Sequence, residues 1–238
     1  MNAKKTEFLM VRPKRDGNVY HISVNGTKIT ESTTVKLLGV HIKNDLCWNF
    51  HIDKLCQLLS QRTGLISRLS NKLSKEHLTC LVHGVILSQV RYCISAYSSV
   101  KLKETDTRSG GLDKIQVLMN NVARIVNQVK RTDHVSINEL FKMSPWLSLN
   151  HMSANSIVVD TWRALRDPSV MNYYNTDYNC NTRAASQELL KMNDICCSPF
   201  IKNGTMLLNH PVFKNVKYLT DIKQVKKHVK QELQKLPL

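Results

Sequence analysis

The amino-acid sequence predicts an α+β fold, mostly α, in which a small antiparallel β segment is followed by a helical bundle. Short β-branched runs fill the first 44 residues, and apolar residues recur at every third or fourth position from Asn49 onward. The 42% hydrophobic content of 238 residues is enough for one sizeable core or two small ones. The predicted division of the chain is 1–44, 45–168, 169–220 and 221–238.

The β segment is predicted from runs that alternate or are rich in β-branched residues, at 7–11, 20–24, 28–30 and 35–42. Asn25-Gly26 lies between two of these runs and favours a hairpin turn, because both residues accept positive φ. A second pair, Asn203-Gly204, is also predicted to form a turn. So small a sheet must pack on the helices that follow, since a two-stranded ribbon has too little core of its own.

Helices are predicted at 49–73, 75–97, 112–129, 136–143 and 149–165 from their apolar spacing. Ser74 is a typical N-cap, and Ser136 with Glu139 forms a capping-box pattern. A polar loop is predicted between the second and third helices, at 98–111. Residues 169–220 lack periodicity and are predicted to be irregular, whereas 221–238 predicts a basic amphipathic helix that packs on the body of the protein.

The charge of the chain points to polyanionic partners. Thirty-four Lys and Arg against eighteen Asp and Glu leave a formal charge of +16, and such an excess attracts nucleic acid by a salt-dependent mechanism. No signal-peptide or membrane-spanning run is found, so the prediction is an intracellular protein, cytoplasmic or nuclear, with no membrane partner. Seven cysteines without a Cys-x-x-Cys spacing are predicted to be reduced thiols.

The sequence offers little support for a catalytic, metal or cofactor site. His77, Cys80 and His83 are three apart on a predicted helix, but no fourth ligand is placed by the sequence, and packed histidines are the favoured interpretation. There is no glycine-rich phosphate loop, nucleophile elbow or zinc-protease helix. No cofactor, no metal site and no catalytic residue are predicted.

Several segments of the chain follow one another in a familiar order. They begin with Lys5-Thr6-Glu7, continue through Leu38-Gly39-Val40 and reach Trp48 at the start of the first predicted helix. Further segments are 75–78, 86–94, 112–125, 136–141 and 146–149. Together they resemble, in the same order, the C-terminal part of the reverse transcriptases of LINE-type (non-LTR, Jockey-like) retrotransposons. The resemblance covers residues 2 to about 165 and implies the end of the palm, the thumb and the helices downstream of it.

The resemblance implies that the catalytic aromatic-x-Asp-Asp turn, the fingers and the endonuclease domain would precede Met1. This chain has no Asp-Asp pair, and two-metal polymerisation needs such carboxylates, so a non-catalytic fragment is expected. Sequence-independent binding of an RNA or DNA duplex is implied, with a hairpin supporting the primer and basic helices on the backbone. The candidate nucleic-acid-binding residues are Lys36, Gly39, His41, Arg62, Arg68 and Lys72.

Other classes of function stay open at this point. The thumb-like helices could form a recruited protein interaction or oligomerisation module, and the chain could be a functionless retroelement remnant. For each basic residue, a solvated surface position is the simplest alternative. Trp48 and Trp146 are expected to fill cores and not to stack on bases.

Overall fold

The computed structural model describes residues 2–11, 19–100, 111–171, 174–175, 189–192 and 199–236. Within them the fold is α+β and mostly α, as predicted. The helices of this part are α1 (Asn49–Leu69), α2 (Lys75–Val82), α3 (Ser88–Arg91), α4 (Ile94–Tyr97), α5 (Leu112–Asn127), α6 (Ile137–Lys142), α7 (Leu149–Ala164), α8 (Pro168–Met171), α9 (Pro199–Asn209) and α10 (Ile222–Lys235). A π-helical turn, His83–Leu87, joins α2 to α3, and 3₁₀ turns lie at Ala3–Lys5, Arg131–Asp133 and Lys214–Tyr218.

The strands pair as separate antiparallel hairpins: β1 (His21–Val24) with β2 (Thr27–Thr30), β3 (Thr34–Leu37) with β4 (Val40–Lys43), and β5 (Tyr174–Asn175) with β6 (Lys191–Met192). The Asn25-Gly26 turn is confirmed, with φ of 51° and 75°. The strand predicted at 7–11 is wrong, because only Phe8 forms a bridge, to Glu31, and the neighbouring residues have no ladder partner.

The single strand predicted at 35–42 is also wrong, because the chain reverses in its middle. Leu38 and Gly39 have φ of 47° and 90°, and two consecutive residues of positive φ form a tight hairpin turn. The β-branched residues on either side conceal this turn in the sequence. The turn gives β3 and β4, and it sets Lys36 directly opposite His41.

The second predicted helix, 75–97, is interrupted where the structure changes its hydrogen-bonding pattern. Ser74 caps α2 as expected, but the π-helical turn follows, and the chain then extends at Tyr92 and adopts a φ of 54° at Cys93. The Tyr97 hydroxyl donates to the Val90 carbonyl across this break. The break therefore separates α3 from α4 without opening the core.

The prediction that 169–220 is irregular is wrong for its second half, where α9 and the 3₁₀ turn Lys214–Tyr218 form. The Asn209 amide bonds both backbone groups of Leu190 at 2.8 Å, which stabilises the end of α9. Asn203-Gly204 lies inside α9 and not in a turn, since this helix packs closely on α7. Residues 101–110 of the predicted polar loop lie outside the described residues.

Two hydrophobic cores meet at α7. The first core contains residues from α1 through α6 and from the beginning of α7. The second contains residues from the rest of α7, from α9, from the 3₁₀ turn Lys214–Tyr218 and from α10. Ten of the sixteen residues of α7 are buried, so only a narrow side of this helix, which includes Asn155 and Arg163, reaches the surface. Leu147 packs against both cores.

The C-terminal helix packs on the protein as predicted. Val225, Val229 and Leu233 of α10 are at most 1% exposed in the second core, while the lysines of the helix face outward. Trp146 is buried in the first core and Trp48 packs partly buried against it, which confirms the structural role expected of both. No helix in the described ranges is long and apolar enough to span a bilayer.

Candidate nucleic-acid interface

The β3–β4 hairpin brings three of the candidate residues together. Lys36 and His41 are cross-strand partners, and Gly39 forms the turn between them. The Tyr92 hydroxyl, beyond the end of α3, donates to the Leu38 carbonyl at 2.7 Å. The side chain of Leu38 itself is 82% exposed, so the hairpin projects from the helices while its tip is held by one hydrogen bond.

His41 joins the hairpin to the first turns of α1. Its imidazole meets the edge of the Phe50 ring, with ring centroids 5.3 Å apart. Its backbone N–H donates to Nδ1 of His51 at 3.4 Å, and His51 is buried against the rings of Trp48 and Tyr97. The aromatic contacts beneath His41 therefore orient the hairpin relative to α1.

Lys54 completes a basic cluster at this junction. The pKa of His41 is lowered by partial burial and then by the positive charges of Lys36 and Lys54, so both ammonium groups act on the same imidazole. Lys54 also lies over the Phe50 ring, with Nζ 5.7 Å from the ring centroid. We call Lys36, His41, Phe50 and Lys54 the hairpin cluster. Sequence reasoning missed Phe50 and Lys54, although their i, i+4 spacing at the start of α1 places them side by side.

From this cluster an exposed surface continues along α1, on the side of the helix that faces away from the first core. At about 100° per residue, five exposed side chains fall within an arc of about 60° that lies opposite the buried stripe. They are Phe50, Lys54, Gln57, Gln61 and Arg68, and together they form what we call the α1 outer face. This face extends for about 27 Å, given a rise of about 1.5 Å per residue.

No acidic side chain lies on the α1 outer face. Asp53 is the one acidic residue among the 21 residues of α1, all of which are described. It lies to the side and bonds Lys114 of α5 at 2.7 Å. The face therefore presents amides, an aromatic ring and cations, which suits a phosphate backbone.

The remaining candidate residues divide into two kinds. Arg62 donates through one guanidinium nitrogen to the Val85 carbonyl of the π-helical turn at 2.5 Å, so it joins α1 to that turn. Arg68 and Lys72 are exposed at the far end of α1. The structure thus places Lys36, Gly39 and His41 at one end of α1, and Arg68 and Lys72 at the other.

The His77–Cys80–His83 spacing does not converge on one point. The His77 ring bonds the Ser74 hydroxyl at 3.0 Å, whereas His83 packs edge-on against Trp146 with centroids 6.2 Å apart. No group of three or more potential metal ligands occurs in the part of the chain that the structure describes. Cys47, Cys56, Cys80 and Cys93 are free thiols.

Stability should fall as the pH is lowered from 7 to 5. Burial is the largest cause that lowers the pKa of His41, His51 and His83 below 6.5. Below about pH 6.5 the unfolded chain therefore binds more protons than the folded one, and the loss is complete only below the folded pKa values. Urea unfolding at pH 5, 6 and 7 measures this, and His51→Gln should reduce the slope. An unchanged slope in the variant would show that His51 does not contribute.

Comparison of the chain with protein-family models, with curated proteins and with solved structures gave no match.

Proposed function

We propose that the chain binds nucleic-acid duplexes, without sequence preference, through the hairpin cluster and the α1 outer face. The observation that supports this most is the continuity of the two surfaces. Lys36, His41 and Lys54 meet at one end and Arg68 lies at the other, while the acidic Asp53, to the side of the face, is already paired with Lys114. A row of cations separated by amides favours phosphate contacts, which carry no information about the bases.

The length of the face fits a duplex. About 27 Å corresponds to roughly eight base pairs at about 3.4 Å each. The pKa of His41 is lowered first by burial and then by the charges of Lys36 and Lys54, and phosphates brought to His41 would oppose the effect of these charges. Duplex binding is thus expected to take up a proton at His41, and affinity should rise as the pH falls.

We further propose that the chain is a non-catalytic C-terminal part of a LINE-type reverse transcriptase. Support comes from the ordered segments that resemble this family and from a projecting hairpin at Leu38-Gly39, where the family would hold the primer end. The chain has no Asp-Asp pair, so polymerase chemistry would require residues that it does not contain. No cofactor is required for the binding proposed.

The binding face is tested by removing three of its cations at once, in Lys36→Gln/Lys54→Gln/Arg68→Gln. Fluorescence anisotropy with a labelled 16-base-pair duplex should show a loss of affinity of about ten- to thirtyfold at 150 mM salt. The slope of log K against log salt should also become shallower by up to about 2.7, since each lost phosphate contact removes about 0.9.

The matched control instead removes three cations from the surface of the elements that enclose the second core, in Lys214→Gln/Lys223→Gln/Lys227→Gln. All three are exposed, and both triple variants have the same net charge. The control should lose no more than about threefold in affinity, because only diffuse attraction is weakened. Equal losses in the two variants would contradict a defined binding face.

The family proposal has its own test, which is to map the transcript and translate the sequence in frame ahead of Met1. An aromatic-x-Asp-Asp motif there, within a polymerase-like sequence, would support it. An unrelated protein domain in the same position would contradict it, and would leave the binding experiment unaffected.

A further inference from the structure

A groove of about 1160 Å³ lies between α7 and α10, on a side of the protein that the proposed binding face does not use. Its floor is one side of α7, from His151 through Asn155 and Val159 to Arg163. This floor is about 18 Å long, since α7 rises about 1.5 Å per residue. One wall comes from α6 and the residues that follow it, and the other comes from α10.

The groove is strongly basic. Its lining includes six side chains that are always positively charged near neutral pH and one carboxylate, that of Asp160. The six are Arg91, Lys142, Arg163, Lys226, Lys230 and Lys235. Asp160 is already engaged, because it accepts from Ser95 at 2.7 Å and from Arg163 at 3.1 Å.

Two of the elements, α3 and α10, direct positive charge to one point in the groove. The pKa of His83 is lowered by burial and then by the charges of Arg91 and Lys230, so α3 and α10 bring cations to the same imidazole. Arg91 and Lys230 have no carboxylate partner among the described residues. Cations held near one another without counter-charges attract an anionic ligand.

The shape and lining of the groove favour a polypeptide. Leu147 and Leu236 are half-buried apolar residues of its lining, and an amphipathic helix can combine contacts to such apolar residues with contacts to the charged ones. Single-stranded nucleic acid would need exposed aromatic rings for base stacking, whereas Phe141 and Trp146 are only 6% and 4% exposed. A second copy of a chain with a formal charge of +16 would be repelled.

We propose that this groove binds an amphipathic acidic helix of a partner protein. The apolar stripe of the helix would pack on Leu147 and Leu236, and its flanking carboxylates would face Lys226 and Lys230 on one wall and Lys142 on the other. A helix of about twelve residues, roughly three turns, matches the 18 Å of α7 that form the floor. The proposal is independent of duplex binding, because the two surfaces share no residue.

The experiment uses the full chain and a synthetic 14-residue peptide with leucines at three- and four-residue spacing and glutamates elsewhere. Titration followed by fluorescence anisotropy should show binding that weakens at least about tenfold in Lys226→Glu/Lys230→Glu, since two attractive contacts become repulsive. A peptide of the same composition with its leucines at every second position should bind at least about tenfold more weakly, because it lacks an apolar stripe.

The matched control is Lys227→Glu/Lys223→Glu, which makes the same charge change on exposed positions of α10 outside the groove. It should change peptide affinity by less than about twofold. Equal loss in both variants, or equal binding of the two peptides, would overturn the proposal in favour of diffuse attraction. Binding of a single-stranded oligonucleotide with the same sensitivity to Lys226→Glu/Lys230→Glu would also overturn it, as would a dimer in sedimentation that this variant dissociates.

Discussion

Trp162→Ala is expected to destabilise the protein by about 3–5 kcal/mol, the range for removing a large buried aromatic side chain. Trp162 lies on α7 in the second core and is 6% exposed. Its indole N–H donates to the Leu219 carbonyl at 2.9 Å. The substitution would therefore leave a cavity and also loosen the segment that connects α9 to α10.

Arg166 contacts both the Trp162 ring and the carbonyl to which the indole donates. Its guanidinium stacks on the Trp162 ring, 3.8 Å from the ring centroid, and donates to the Leu219 carbonyl at 2.6 Å. Without the ring, Arg166 loses the surface that orients it. The free energy of unfolding, measured in urea at pH 7, should fall accordingly.

Trp162→Phe is the matched control for this prediction. It keeps an aromatic ring beneath Arg166, and the Leu219 carbonyl still accepts from that residue. A smaller loss of about 1–2 kcal/mol is expected, from the shorter ring and the missing indole hydrogen bond. A loss in Trp162→Ala no larger than in Trp162→Phe would contradict the role of the ring in holding Arg166.

Gly204→Ala is expected to destabilise the protein by about 2–3 kcal/mol, within the usual range for overpacking a core. A Cβ atom at this position of α9 would lie 2.1 Å from the Thr161 hydroxyl oxygen and 2.8 Å from its methyl carbon. Thr161 is fully buried on α7. The two helices would have to separate, and the contacts of α9 with the second core would weaken.

Gly64→Ala should change the free energy of unfolding in the opposite direction, so it serves as the control for Gly204→Ala. Gly64 lies within α1, and a Cβ there would meet nothing within 4 Å. Alanine should therefore stabilise the protein by about 0.5–1 kcal/mol through helix propensity alone. Urea unfolding of both variants under the same conditions tests the difference.

A double-mutant cycle tests whether the predicted clash is between position 204 and the Thr161 side chain. Thr161→Ala removes the hydroxyl and the methyl group that the new Cβ would meet. Combined with Gly204→Ala, it should show a favourable coupling of at least about 1 kcal/mol. Additive losses would mean that the two helices do not meet at these residues.

The helices whose apolar residues lie on one stripe can be predicted from the sequence. Elements that form because of tertiary contacts are missed. The helices α1, α5 and α10 each have one buried stripe, and the serines at 74 and 136 mark two helix starts. By contrast, α9 contains an Asn-Gly pair that favours a turn when read locally. Its glycine is required by the close approach of Thr161, a contact made across 43 positions of sequence that local patterns do not contain.

The candidate site was predicted in part, and the missing part depends on tertiary geometry. Lys36 and His41 are five residues apart, so one continuous strand would put them on opposite faces. The turn at Leu38-Gly39 makes them cross-strand partners instead. Phe50 and Lys54 lie beside them because α1 packs on β4. Arg62 lies apart from this cluster, where it donates to the Val85 carbonyl.

Because α7 contributes residues to both hydrophobic cores, the two cores cannot be completed at the same time during synthesis on the ribosome. The first core can close once residue 164 has emerged, but the side of α7 that faces the second core stays uncovered until α9 and α10 follow. At about 5–20 residues per second, the roughly 70 intervening residues take about 4 to 14 seconds. During that interval Ile157, Val158 and Trp162 form an apolar surface on an otherwise folded nascent chain, which is the kind of surface that general chaperones bind.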